Sequence, residues 1–164
     1  MRETIEHRTI GAVYGEDHAL LNGYFLQFRQ LKRPNFPQAK GFFKKFHAGL
    51  ERHIAWEEQI LFPLFEKKTG LKKCGPTEVM RDEHIFIKEL LERIHAKVRR
   101  ESRESDADEY ELLDVLNAHH HKEESILYPV LDRMTGDDEK GEVFHRMEKS
   151  SEKKGKTCCC HVGF

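Results

Sequence analysis

The chain has 164 residues, of which 28 are basic and 29 acidic, and this near balance provides no strong field to attract nucleic acid or a membrane surface. The sequence contains no apolar run of about 20 residues that would span a membrane, and its first residues lack the apolar segment of a secretory signal. The length suits one domain with a sizeable core. Three of the four cysteines are consecutive, at positions 158–160, which is unsuited to a structural disulfide framework. We therefore expect a soluble, cytoplasmic protein in a reducing compartment.

Apolar residues at three-and-four spacing predict an all-α fold with four long helices and a short fifth helix. The predicted ranges are 9–31, 37–68, 76–101, 108–134 and 138–150. Pro63 lies inside the second range and should kink or break the helix near residues 59–62, because proline has no amide hydrogen to donate. The composition turns polar after the fifth helix, so we assign residues 1–150 to the helical domain and residues 151–164 to a flexible, disordered tail.

The two halves of the chain repeat each other at an offset of 66 positions. The repeated pairs are His18 and His84, His53 and His119, Glu57 and Glu123, Pro63 and Pro129, and Gly70 and Gly136. A duplicated helix pair favours an antiparallel four-helix bundle, in up-down-up-down order, with an approximate internal two-fold axis. The offset also favours His119 over the neighbouring His120 and His121, because only His119 aligns with His53.

Each half of the repeat carries a histidine followed four positions later by a glutamate, and residues at this spacing share one face of a helix. The candidate metal ligands are His18, His53, Glu57, His84, His119 and Glu123. The two-fold relation assigns two histidines to each of two metals, with the two glutamates as bridges. Imidazole and carboxylate ligands suit iron, manganese or zinc, and the lack of thiolates in the core disfavours a soft metal. About three protein ligands per metal leave positions open, which indicates reactivity or small-ligand binding.

The ligand pattern resembles the hemerythrin-like (HHE cation-binding) domain over residues 9–135. The matching residues are His18, His53-x-x-x-Glu57, His84 and His119-x-x-x-Glu123. The resemblance implies a non-haem centre of two iron ions, oxo- or hydroxo-bridged, inside a four-helix bundle, with manganese or zinc as substitutes. The oxygen carriers of the family have a second histidine on the third helix and an aspartate motif on the fourth, where this chain has Lys88 and Glu123. Its symmetric pattern is closer to the repair-of-iron-centres proteins, whose N-terminal cysteine-bearing segment it does not show, and to hemerythrin-like sensors.

Two functions are compatible with such a centre. The first is binding of dioxygen, nitric oxide or peroxide at the open iron positions, in a response to oxygen, nitrosative or oxidative stress or in sensing them. The alternative is an iron-binding or iron-donor protein, or a sensor, that performs no turnover. The sequence leaves open whether the chain is an enzyme.

Several residues near the candidate ligands have two interpretations. Glu58 and Glu124 lie about 100° around the helix from the proposed bridges, and we expect them to hydrogen-bond imidazole N–H groups rather than bind metal. Tyr14 lies one turn before His18 and is either a core residue or a hydrogen-bond donor or electron source near the centre. Lys88 either extends outward or places its ammonium near an open metal position.

The remaining histidines and the cysteine cluster lie outside the repeated pattern. We expect the following histidines to be ordinary surface residues: His7, His47, His95, His120, His121 and His145. Cys158, Cys159 and Cys160, followed by His161, either have no structural role, or chelate a soft metal, exchange thiols or attach the chain to a protein partner.

Overall fold

The computed structural model describes residues 8–156, and within this range every regular element is helical. The α-helices are α1 (Ile10–Leu31), α2 (Phe36–Trp56), α3 (Phe62–Thr69), α4 (Pro76–Arg99), α5 (Asp106–Lys122), α6 (Tyr128–Met134) and α7 (Asp137–Lys156). Two π-helical segments, Glu57–Leu61 and Glu123–Leu127, join α2 to α3 and α5 to α6. The predicted all-α class is confirmed. Across the described residues, the helices are too short or too polar to traverse a bilayer.

The first two helices begin at side-chain caps. Thr9 accepts a hydrogen bond from the amide of Ala12 at 3.1 Å, and Asn35 accepts one from the amide of Gln38 at 3.2 Å. These bonds satisfy amide groups that have no partner inside the first turn of a helix. For four of the five predicted helices, the predicted and observed first residues differ by at most one position. The helix predicted to begin at residue 108 begins two residues earlier, at Asp106.

The helix irregularity predicted at Pro63 is a π-helical segment rather than a break. The amide of Phe62 donates to the carbonyl of Glu57, five residues earlier, and the amide of Tyr128 donates likewise to Glu123. Proline at the next position, 63 or 129, has no amide hydrogen to continue an ordinary α-helical ladder. Widened turns of this kind are frequent at functional sites, and here each one starts at a predicted glutamate ligand.

Two apolar clusters fill the interior, and a buried polar layer separates them along the helices. On α1, Tyr14 belongs to one cluster and Leu21 to the other, with His18 between them. On α4, Met80 and Ile87 belong to the two different clusters, with His84 between them. The apolar residues on either side therefore hold the histidines at fixed heights in the core.

The strongest helix packing joins α1 to α2 and α4 to α5, the two pairs related by the sequence repeat. Helix α6 contacts α1 and α3, and α7 packs Val143 and Met147 into the cluster that contains Tyr14. Helix α7 continues to Lys156, beyond the predicted end at residue 150. The division into a domain over 1–150 and a tail over 151–164 stays a prediction, and Cys158, Cys159 and Cys160 lie outside the described residues.

Candidate metal centre

All six predicted ligands meet in the polar layer of the core. Each of them is at most 3% exposed to solvent. They come from four helices and the two π-helical segments: His18, His53, Glu57, His84, His119 and Glu123. Burial of six titratable side chains at one level of a helical core is costly unless they bind one another or an ion.

The four histidines form two pairs. The Nε2 atoms of His18 and His53 lie 3.0 Å apart, and those of His84 and His119 also lie 3.0 Å apart. Two imidazole nitrogens at this distance share at most one proton. The arrangement is therefore the one expected when both nitrogens of a pair turn toward the same cation.

Each buried glutamate places one carboxylate oxygen beside each histidine pair. The four distances are Glu57 Oε1 to His53 Nε2 at 3.6 Å, Glu57 Oε2 to His84 Nε2 at 3.3 Å, Glu123 Oε1 to His119 Nε2 at 2.8 Å, and Glu123 Oε2 to His18 Nε2 at 3.3 Å. Carboxylates that divide their oxygens in this way are placed to bridge two cations. The predicted division into two histidine pairs and two bridges therefore agrees with the geometry.

The carboxylates also have hydrogen-bonding capacity that the protein does not use. Glu57 Oε2 and Glu123 Oε1 are buried and lie beside His84 Nε2 and His119 Nε2, but neither oxygen has a partner with hydrogen-bond geometry among the described residues. A buried carboxylate oxygen without a donor carries a large desolvation cost. A cation between the histidine pairs would satisfy both oxygens, so the donor set fits a metal. One oxygen or nitrogen from each of Glu57, His84, His119 and Glu123 lies within 4.8 Å of the others.

The second ring nitrogen of every ligand histidine is held by an outer carboxylate. The contacts are His18 Nδ1 to Glu124 at 2.9 Å, His53 Nδ1 to Asp17 at 2.8 Å, His84 Nδ1 to Glu58 at 2.9 Å, and His119 Nδ1 to Glu83 at 2.8 Å. Such partners fix the ring orientation and the tautomer that leaves Nε2 free to bind metal. The expected roles of Glu58 and Glu124 are confirmed.

Asp17 and Glu83 also belong to the centre, although helical spacing did not identify them. They too are 66 positions apart, and each immediately precedes a ligand histidine. The repeat offset was the signal that could have identified them. Each half of the chain therefore duplicates its outer carboxylates together with its ligands.

Basic side chains neutralise three of the outer carboxylates from the surface. Arg52 binds Asp17 at 2.8 Å, Lys122 binds Glu83, and Lys88 Nζ lies 3.2 Å from Glu58. Of the two interpretations of Lys88, the structure supports the outward one, because its half-exposed ammonium binds Glu58 rather than a ligand atom.

Protonation in the absence of a cation follows from the crowding of acids and imidazoles. Burial lowers the pKa of His53, but the charge of Glu57 and the hydrogen bond with Asp17 outweigh burial and raise it to about 10. Burial also lowers the pKa of His119, but the close contact with the Glu123 carboxylate and its charge raise it to about 9. A cation must displace protons from these rings, so its affinity should rise with pH.

Aromatic residues make the two halves of the centre unequal. The Tyr128 hydroxyl donates to Glu57 Oε1 at 2.8 Å and lies 3.3 Å from Glu123 Oε2, whereas the repeat places Phe62 at the equivalent position. The sequence pattern had indicated a different tyrosine, Tyr14, as the possible hydrogen-bond donor near the centre. Tyr14 packs edge-on against the His53 ring with centroids 5.3 Å apart, and its buried hydroxyl makes no hydrogen bond to a described residue. Its core-packing interpretation is the one that the contacts support.

The expectation of surface positions is wrong for three histidines. His120 is 7% exposed, and its ring stacks on His18 with centroids 3.7 Å apart. Burial, followed by the charge of His18, lowers the pKa of His120 to about 2. His47 and His95 are 6% and 7% exposed and lie at the boundary of α2 and α4. Helical periodicity did not identify these three histidines as buried, because a histidine among polar neighbours does not stand out as a core position in the sequence.

Comparison with known proteins places the centre in a family. The model of the hemerythrin HHE cation-binding domain matches residues 9–110 and 75–153. The chain is 32% identical over 107 residues to the iron-sulfur cluster repair protein YtfE of Escherichia coli O81 (strain ED1a), covering 59% of this chain and 49% of the relative. It is 35% identical over 92 residues to the YtfE protein of Enterobacter sp. (strain 638), covering 51% and 42%.

This chain spans about half the length of the curated relatives it matches. No solved structure matches the chain. The family match extends over most of the described residues and includes all six candidate ligands. The chain belongs to the hemerythrin HHE cation-binding family.

Proposed function

We propose that the centre holds two iron ions and binds dioxygen, nitric oxide or peroxide in a response to oxygen, nitrosative or oxidative stress. The observation that carries the proposal is the division of both buried carboxylates, Glu57 and Glu123, between two histidine pairs. Imidazole and carboxylate ligands suit iron, with manganese or zinc as substitutes. Iron with about three protein ligands supplies open coordination positions for a small ligand.

The proposal includes the finer topology of the fold. The packing of α1 on α2 and of α4 on α5, together with the short connections, supports an antiparallel four-helix bundle in up-down-up-down order. The two-fold relation of this bundle would bring the two histidine pairs face to face.

Tyr128 has the placement needed to hold a proton at the centre. Burial and the nearby charges of Glu57 and Glu123 raise the pKa of its hydroxyl well above the usual value, so it stays protonated and donates. The hydroxyl lies 3.4 Å from His18 Nε2, which places it beside the His18 and His53 pair. A small anionic or polar ligand on that side could receive this hydrogen bond only if the hydroxyl turned away from Glu57.

A surface cavity lies on the same side of the centre. A cavity of about 340 Å³ is lined by Gly11, Gly15, Glu124, Tyr128, Pro129 and Asp132. Gly15 adds no side chain there, and Glu124, which holds His18, is 53% exposed. A cavity of this volume can hold a diatomic molecule or peroxide, and passage from it to the centre is part of the proposal.

A second candidate function, iron donation without turnover, rests on the exposure of Glu124. Because this carboxylate orients His18 and is open to solvent, an acceptor could approach that half of the centre directly. The name of the relatives, iron-sulfur cluster repair protein, agrees with iron transfer. The predicted attachment of a protein partner through Cys158, Cys159 and Cys160 belongs to this proposal.

The test is metal content by mass spectrometry and the absorption spectrum of the aerobically purified protein. We expect two irons per chain and near-ultraviolet bands that change when nitric oxide, azide or peroxide is added. The double variant His53→Ala and His119→Ala should lose both irons, whereas a control change at the exposed His121 should keep both. Zinc alone, or one iron in both proteins, would refute the di-iron proposal.

A chelator experiment separates the two candidate functions. Rapid loss of iron to an external chelator at near-neutral pH, without consumption of peroxide or nitric oxide, would favour donation. Retained iron with ligand-induced spectral changes would favour small-ligand binding. Replacing Glu124 with glutamine, which removes its negative charge, should alter the rate of iron loss more than the same change at the exposed Glu111.

A further inference from the structure

A second group of histidines and glutamates lies where α2 packs against α4. His47 and Glu51 are one turn apart on α2, and Glu92 and His95 are three positions apart on α4, so each pair shares one face of its helix. The His47 and His95 rings are nearly buried, and their centroids are 4.6 Å apart. The Phe43 ring lies within 6.1 Å of both rings and forms an apolar wall.

The distances within this group match those of ligand atoms around one ion. His47 Nε2 lies 2.9 Å from Glu92 Oε1, and His95 Nδ1 lies 3.5 Å from Glu92 Oε2. One nitrogen or oxygen from each of the three side chains lies within 4.8 Å of the other two. Ligand atoms bound about 2.1 Å from a shared cation are themselves about 3 to 4 Å apart. Small side-chain rotations would thus complete the coordination.

Two members of the group, His95 and Glu92, have pKa shifts that favour the forms that bind a cation. Burial and the charge of His47 lower the pKa of His95, so its ring is neutral near pH 7. The hydrogen bond from His47 lowers the pKa of Glu92 and keeps it ionised. Neutral imidazole and ionised carboxylate are the forms that bind metal. Glu51 Oε2 lies 3.6 Å from His47 Nδ1, on the side of the ring opposite Glu92, and can orient the ring as the outer carboxylates do in the core.

The sequence repeat shows that the bundle does not need these residue types for packing. At the positions offset by 66 from His47, Glu92 and His95, the chain has Leu113, Leu26 and Arg29. Both halves of the sequence repeat carry the candidate ligands of the core centre, whereas the residue types of the His47, Glu92 and His95 group are not repeated. Its acids are accessible from solvent, since Glu92 is 64% exposed at its side chain and Glu51 is 51% exposed.

We propose that His47, Glu92 and His95 bind one divalent cation of the zinc class at the surface between α2 and α4. Two imidazoles and one carboxylate form a three-ligand zinc set that leaves one position for water. His47 precedes His53 by six residues, which is about 9 Å along the helix, so this position is distinct from the core centre. The cation links the two helix pairs that the sequence repeat relates.

The experiment counts zinc on the full chain against matched variants. Cys74 and Cys158–Cys160 are first replaced by serine, so that thiols do not contribute. The protein is loaded with iron and equilibrated with micromolar zinc, and zinc per chain is measured after dialysis. The variants Glu92→Gln and His95→Asn should each lose one zinc per chain, or bind it at least tenfold more weakly. His145→Asn, at an exposed position outside the group, should lose none.

A second readout makes the result independent of folding and of the core centre. Cobalt in place of zinc should give visible bands of a four-coordinate ion with nitrogen and oxygen ligands, absent from the Glu92→Gln spectrum. The far-ultraviolet circular dichroism of Glu92→Gln without zinc should equal that of the parent, because this side chain is largely exposed. The proposal is overturned if the parent takes up no zinc beyond the core, or if both variants keep the same count as His145→Asn.

Discussion

Replacing Asp17 with asparagine should weaken cation binding at the core without removing a ligand. Asp17 Oδ2 lies 2.8 Å from His53 Nδ1, and its side chain is only 12% exposed. Asparagine keeps an oxygen acceptor but loses the negative charge that strengthens the imidazole as a ligand, and Arg52 loses its ion-pair partner. Changes to such carboxylates cost about 10- to 100-fold in metal affinity.

The contacts of Asp17 indicate where in this 10- to 100-fold range the loss of metal affinity should fall. Because asparagine preserves the hydrogen bond, we expect about a tenfold loss, or about 1.4 kcal/mol. Alanine at the same position removes both the bond and the charge and should approach a hundredfold loss, about 2.7 kcal/mol. The repeat supplies a matched variant, Glu83→Gln, whose side chain is 23% exposed, so solvent screening should make its effect smaller.

The assay is competition for ferrous iron under anaerobic conditions between the protein and a coloured chelator of known affinity. Asp114→Asn, at an exposed site on α5, makes the same charge change away from the centre and should leave the binding constants unchanged. The double variant of Asp17 and Glu83 should weaken cation binding at both histidine pairs. Constants for Asp17→Asn within twofold of those for Asp114→Asn would refute the reasoning that these carboxylates tune the ligands.

Three further outcomes follow from other parts of the structure. Glu109→Gln should lower the free energy of unfolding by about 3 kcal/mol in urea titrations, because Lys32 and Glu109 form an ion pair in which both side chains are at most 2% exposed; an unchanged urea midpoint would contradict this. In protein freed of metal, His53, whose pKa is raised from 6.5 to about 10, contributes stability that is complete below pH 6.5 and is lost as the pH rises through 10; thermal unfolding of a His53→Gln variant should show a smaller decline over this window. Gly70→Ala should cost about 1 to 2 kcal/mol because Gly70 has φ of 76°. An added Cβ meets no neighbouring atom at Gly70 or at Gly136, but φ is not positive at Gly136, so Gly136→Ala should be nearly neutral. Equal shifts of the melting temperature for the two variants would contradict this reasoning.

The ligand set was accessible from the sequence because two independent regularities coincide in it. Spacing of four places His53 and Glu57 on one helix face, and the offset of 66 repeats that pair as His119 and Glu123. Helix bounds were also accessible, since caps such as Asn35 and breakers such as Gly70 act within a few residues along the chain. Local chemistry and repetition were thus sufficient for the fold class and for the six candidate ligands.

Other features depend on which helices face each other and could not be obtained from spacing. Pro63 predicts an irregular helix, but only the packed structure shows a π-helical turn that begins at Glu57. Likewise, Tyr128 is one aromatic among many in the sequence until the fold brings its hydroxyl to Glu57, 71 positions away.

The sequence by itself determined an all-helical chain with a duplicated set of histidines and glutamates, because helical periodicity and internal repetition are properties of neighbouring or evenly spaced residues. The tertiary structure decided how the carboxylate oxygens divide between the histidine pairs, and it decided that His47 and His95 meet across α2 and α4. These arrangements depend on the packing of side chains from separate helices. Distances between such side chains are fixed only when the apolar clusters on either side bring the helices together.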